Sequence, residues 1–124
     1  IAGLVKGASK GEGLGNKFLG TIREVDAICH VLRCFDSGDI THVEGSVDPI
    51  RDAEIVETEL MLSDMESLER RIVPLEKKAK SGDKDAKADV DLMSKALDLL
   101  RDGKPARLAD LSKDEVVPFK RLNL

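Results

Sequence analysis

The chain has 124 residues, 41% hydrophobic and 35% charged, with a formal net charge of −4, three Phe, no Trp or Tyr, and two Cys. That apolar fraction is too high for a disordered tail, no run approaches the roughly 20 consecutive apolar residues of a membrane span, and two Cys give no disulfide framework. Residues 1–7 lack the layout of a secretory signal, so an intracellular, cytoplasmic protein is expected, and three Phe are too few for the sheets and barrels that stack single-stranded bases. The chain begins at Ile1 without a Met and ends on Leu122, Asn123 and Leu124 with no polar tail, which leads us to expect a piece of a longer protein.

Six of the ten glycines, Gly3, Gly7, Gly11, Gly13, Gly15 and Gly20, fall within the first twenty positions. Over residues 1–23, Lys6, Lys10, Lys17 and Arg23 face a single acid, Glu12. A basic glycine-rich segment suits phosphate, because glycine admits close backbone approach and lysine supplies charge; a solvated flexible loop has the same composition. Leu14, Phe18, Ile22 and Val25 then recur at helical spacing, and 27–35 is a short run apolar on both faces. The pattern predicts a helix followed by an interior strand of a parallel sheet. Cys29 and Cys34 would point to opposite faces of that strand, which excludes a shared disulfide or metal site and predicts buried structural thiols. Polar residues 36–47, interrupted by Gly38 and Gly45, predict a loop.

Asp48-Pro49 is a helix start signal, with Asp as N-cap and Pro at the first helical position. Met61, Met65, Leu68, Ile72, Leu75 and Ala79 follow at alternating spacings of 4 and 3, and Ser81-Gly82-Asp83 supplies a stop and a new cap. A second seam, Ala86, Val90, Met93, Leu97 and Leu100, ends at Asp102-Gly103-Lys104-Pro105. Two heptad helices joined by a tight turn predict an antiparallel coiled-coil hairpin, about 48 Å long in its first arm and about 27 Å in its second. Pro74 predicts a kink or break in the first arm. Residues 51–102 carry an excess of four acids, the whole formal charge of the chain, although Arg70, Arg71, Lys77, Lys78, Lys80, Lys84 and Lys87 concentrate toward the tip. Those cations suit RNA phosphates or an ordinary charged helix exterior. Ser112 and Glu115 form a capping-box pattern that opens a last short helix disturbed by Pro118.

Gly15 to Gly20 followed by Thr21 lacks the Lys of a Walker A loop, Gly11 and Gly13 lack the third Gly of a dinucleotide fingerprint, and two His without neighbouring ligands give no zinc motif. Ile1-Ala2-Gly3-Leu4-Val5-Lys6-Gly7-Ala8 and Gly11-Glu12-Gly13-Leu14-Gly15-Asn16-Lys17-Phe18-Leu19, however, resemble the second switch of Obg-related P-loop NTPases. With Ala2, Asp39-Ile40-Thr41-His42-Val43 and Val47-Asp48-Pro49-Ile50-Arg51-Asp52, the resemblance extends to the YchF subfamily, the Obg-like ATPases, over nearly the whole chain.

The resemblance implies an α/β P-loop NTPase segment, mostly α in this chain, with residues 1–47 in the G domain, 48–103 as the inserted coiled-coil hairpin, and 104–124 returning toward the G domain. It places Ala2, Gly3 and Leu4 on the γ-phosphate side, with the Asp that holds Mg²⁺ lying just before Ile1. Leu4 stands where Ras-like enzymes have a water-orienting Gln, so another polar group must act, and His42 is the candidate because its loop follows a core strand. Lys6, Lys10 and Lys17 are candidate contacts to phosphate or ribosomal RNA. The implied parent is a cytoplasmic ATPase that uses Mg²⁺, prefers ATP over GTP and binds ribosomes, with no role for membrane or DNA; this chain alone, lacking Walker A, is expected to be inactive. The alternative is a non-catalytic adaptor whose hairpin binds protein or RNA.

Overall fold

A computed structural model describes residues 6, 7 and 15–124, and of residues 15–17 the backbone alone. Four α-helices occur in it: α1 (Gly15–Ile22), α2 (Pro49–Lys80), α3 (Lys84–Arg101) and α4 (Val116–Lys120), with a 3₁₀ turn at Ala106–Leu108. The chain divides into two compact units, residues 1–60 and 61–124, and the division falls inside α2. No described helix is long and apolar enough to cross a membrane.

The first unit departs from expectation at 27–35. No strand occurs among the described residues, and Val25, Ile28, Val31 and Phe35 are exposed, Val31 at 86%. A strand exists only as one side of a hydrogen-bonded ladder, and no second extended segment is described here to pair with it. Cys29 and Cys34 are accordingly exposed free thiols, contrary to the buried pair expected from their type. The loop beyond is stitched by one side chain: Arg33 donates to the carbonyls of Phe35 at 3.0 Å, Ser37 at 3.2 Å and Ile40 at 2.9 Å. Its guanidinium also lies 5.1 Å from the centre of the Phe35 ring, a cation–π contact.

The start of α2 follows its sequence signal. Asp48 Oδ1 accepts the Arg51 N–H at 3.1 Å, and the Asp48 carbonyl accepts the Asp52 N–H at 2.9 Å, opening the helical ladder. Pro74 does not break α2, which continues to Lys80. Proline removes one backbone donor from the interior, while Leu68 and Ile72 remain buried in the core and Leu75 packs against it.

The second unit has a core of its own. Leu68, at 0% exposure, and Ile72 pack with Leu92, Met93, Ala96, Leu97 and Leu100 of α3, and Met61, Met65, Leu75 and Val90 line the edge of that cluster. The hairpin turn is closed by geometry at both of its ends. Gly82, at φ +98°, donates to Ala79 O at 3.0 Å and Asp83 N–H reaches Lys78 O at 3.3 Å, the bond pair of a Schellman motif. Asp83 Oδ1 then accepts from the N–H groups of Asp85 and Ala86, each at 3.0 Å, and so opens α3.

α3 ends in the same way, with Gly103 at φ +71° donating to Leu100 O at 3.0 Å and Lys104 to Leu99 O at 2.8 Å. The return segment is fastened to the hairpin through buried Ala106 and Leu122, through Arg71 Nη1 on the Leu122 carbonyl at 2.7 Å, and through Lys95 Nζ on Glu115 Oε1 at 2.6 Å. One half of the anticipated capping box forms, Ser112 N–H to Glu115 Oε2 at 2.9 Å, and α4 begins directly after it.

Candidate functional site

The loop that precedes α2 is brought back against the first turn of that helix by its histidine. His42 Nε2 lies 2.7 Å from Asp52 Oδ2, and both side chains are 16% exposed. The opposite ring nitrogen, Nδ1, accepts the Glu44 N–H at 3.1 Å, and the Gly45 N–H closes a turn on the His42 carbonyl at 3.0 Å. An N–H aimed at Nδ1 requires a lone pair there, so the geometry selects the neutral ring with its proton on Nε2, donated to Asp52.

Arg51 fixes Asp52 from the other side. Its Nε and Nη2 reach Asp52 Oδ1 at 3.3 and 3.1 Å, and its remaining donors hold Ser46, through the carbonyl at 2.6 Å and Oγ at 3.0 Å. Partial burial pushes the Asp52 carboxyl up, but the hydrogen bonds from Arg51 and His42 outweigh it, and Asp52 titrates below its ordinary value. Asp52 therefore stays anionic at neutral pH and remains an acceptor for His42.

A cleft of about 230 Å³ opens beside this network, lined by Arg33, Asp36, Ser37, Thr41, His42 and Ser46, among others. It is smaller than the roughly 300–1,000 Å³ of a pocket for a drug-sized ligand, and suits waters or one small polar group. The turn at Lys6 and Gly7, in the same unit, is also held by α2. Glu59 Oε1 accepts the Gly7 N–H at 2.6 Å, Gly7 sits at φ +86°, and the Glu59 side chain is buried at 4% exposure.

Of the residues singled out from sequence, His42 is placed in this network and Lys6 is exposed. Lys17 lies on α1, with its side chain outside the described residues, where Ala2, Gly3, Leu4 and Lys10 also fall. Among the described residues no group of three or more His, Cys, Asp or Glu is arranged to hold a metal ion. Sequence reasoning missed Asp52, Arg51, Arg33 and Glu59. Glu59 and Ser63, at 4% and 7% exposure, are polar residues on the buried side of α2, and a polar residue one turn from another on a helix face was the signal available.

No family model matches the chain. It is 55% identical over 123 residues to the "Ribosome-binding ATPase YchF" of Haemophilus ducreyi, 52% over 124 residues to that of Bacillus subtilis and 52% over 123 residues to that of Escherichia coli O157:H7. These alignments take in 99%, 100% and 99% of the chain and 34% of each relative, so the chain spans about a third of the length of the curated relatives it matches.

Proposed function

We propose that the chain belongs to the YchF family and forms the switch segment and helical arm of a cytoplasmic, ribosome-binding ATPase. The observation that carries this reading is identity above one half along the whole chain with proteins so named. The exposed apolar stretch with Val25, Ile28, Val31 and Phe35 supports it, since such a stretch calls for cover by neighbouring strands of a larger α/β P-loop domain.

In this reading Ala2, Gly3 and Leu4 face the γ-phosphate, Lys6, Lys10 and Lys17 meet phosphate or ribosomal RNA, and ATP is preferred over GTP. When bound with the nucleotide, Mg²⁺ would supply charge neutralisation to its phosphates. The contribution of the described residues is to hold loops, through Asp52 on His42 and Glu59 on Gly7. His42 is the water-positioning group in place of Leu4, and a neutral imidazole has the donor and acceptor that the role requires. The hairpin is the arm that meets the ribosome. Lys77, Lys78, Lys80, Lys84 and Lys87 are exposed on either side of its closing turn, where a phosphate backbone can approach them.

Turnover of ATP by the full-length protein, alone and with ribosomes, tests the reading. His42→Ala is expected to lower both rates; unchanged basal and stimulated hydrolysis would remove His42 from the mechanism. Reversing Lys77, Lys78 and Lys80 to Glu is expected to weaken ribosome association and to flatten its salt dependence by about one unit of slope for each phosphate no longer neutralised. Calorimetry with Mg-ATP separates this reading from the non-catalytic adaptor: the full-length protein should bind and the 124-residue chain should not, whereas a full-length protein without nucleotide binding leaves the adaptor.

A further inference from the structure

Resting on the reading of His42 as the water-positioning group, we infer that Asp52 is a positioning residue that parks His42 out of action, and that the root of α2 is the element that releases it. In the observed arrangement both ring nitrogens are taken, Nε2 by Asp52 at 2.7 Å and Nδ1 by the Glu44 N–H at 3.1 Å. Neither has a donor or lone pair left for a water. His42 must therefore leave Asp52, or lose Glu44, before it can orient a nucleophile.

Asp52 is itself immobilised by Arg51, which is anchored on Ser46 of the same loop, so the partner that His42 must leave is held in place on the helix. Seven residues on, about 10.5 Å along the axis and on the same face, Glu59 holds the turn at Lys6 and Gly7 through the Gly7 N–H at 2.6 Å. Gly7 follows Gly3, the residue that the family resemblance sets against the γ-phosphate, by four positions. One face of one helix thus carries two carboxylates, one bonded to the ring of His42 and the other to the backbone of Gly7. α2 continues without interruption from this root to Lys80. A displacement of α2 acts on both grips at once, and by linkage any ligand that alters the grips alters the affinity of whatever moves the helix.

The test uses the full-length protein, with ATP turnover measured alone and with ribosomes, and the ring nitrogens of His42 observed by ¹⁵N NMR. The wild-type ring is expected to show Nε2 protonated and Nδ1 bare; a proton on Nδ1 overturns the proposal without any variant. Asp52→Ala is expected to raise basal turnover at least about tenfold, the equilibrium shift carried by one hydrogen bond to an anionic acceptor, and to lower the fold-stimulation by ribosomes by the same factor. Asp52→Asn offers one oxygen where the carboxylate offers two, so it cannot serve Arg51 and the Nε2 proton together, and it is expected to raise basal turnover in the same direction as Asp52→Ala. Glu59→Ala should likewise reduce the stimulation ratio, and Glu59→Gln should restore it.

Basal turnover at or below wild type in Asp52→Ala, while His42→Ala abolishes hydrolysis, overturns the parking role and leaves the function of His42 standing. Undiminished hydrolysis in His42→Ala defeats the role of His42 itself, and the inference with it. Stimulation ratios unchanged in both Asp52→Ala and Glu59→Ala defeat the coupling through α2.

Discussion

Residues 1–60 and 61–124 differ in whether their apolar residues gather into a core. The second unit gathers Leu68, Ile72, Leu92, Met93, Ala96, Leu97 and Leu100 into one buried cluster, sealed by Ala106 and Leu122 from the return segment, although Val73, Leu108 and Val117 stay exposed. The first unit leaves Val25, Ile28, Val31, Phe35, Ile40 and Val43 exposed, and its order comes from polar stitching by Arg33, His42, Arg51 and Glu59. A hairpin supplies both sides of its own interface, whereas a lone strand of a parallel sheet supplies one side and waits for neighbours.

The hairpin core is where a substitution should cost most. Leu68→Ala removes a fully buried side chain and is expected to destabilise the second unit by about 2–5 kcal/mol in denaturant unfolding. Val31→Ala is the mirror experiment: within about 0.5 kcal/mol in the 124-residue chain, but about 1.5–3 kcal/mol in the full-length protein if a sheet covers it there. Equal small effects in both settings would mean that nothing covers 25–35, and would dissolve the contrast. Asp83→Ala should lower the stability of the second unit by about 1 kcal/mol, because the Asp85 and Ala86 N–H groups lose their acceptor.

Weaker still is a pH dependence that distinguishes the units. Glu115 is held below its ordinary value by the hydrogen bond from Lys95 and by the Ser112 N–H, and Asp52, despite partial burial, is held below its own by Arg51 and His42. A depressed folded-state pKa stabilises the fold fully above the unfolded value and loses that contribution as pH falls through the folded value. Melting midpoints should be flat from neutral pH to about 5 and decline below it, and Glu115→Gln should remove its share from the second unit alone. A decline already present at pH 6 would implicate other groups.

The hairpin was largely legible because each of its instructions is local. Heptad spacing, Asp48-Pro49, Gly82-Asp83 and Gly103-Lys104-Pro105 all act within a few residues, and the helices begin and end beside them. Of the kink or break expected at Pro74, the break does not occur, since α2 runs on to Lys80 while Leu68 and Ile72 stay packed in the core. The strand at 27–35 was read from a pattern that needs a ladder partner, and none is described. His42 was identifiable as a polar group in a loop after an apolar run, but its bond to Asp52 depends on how a ten-residue excursion closes on the helix, and no periodicity encodes that closure. Glu59 was hidden by residue type, because a glutamate on a helix is ordinarily solvated.

The turn at Gly82 and Asp83 leaves no slack between the helices: the same two residues terminate α2 and start α3. A single inserted residue in either helix would rotate everything beyond it by about 100° and turn the seam away from its partner. The reach of the arm is therefore quantised. It can change only by adding or deleting one heptad in each helix together, in steps of about 10.5 Å, so the hairpin behaves as a ruler whose graduations are set by its own packing.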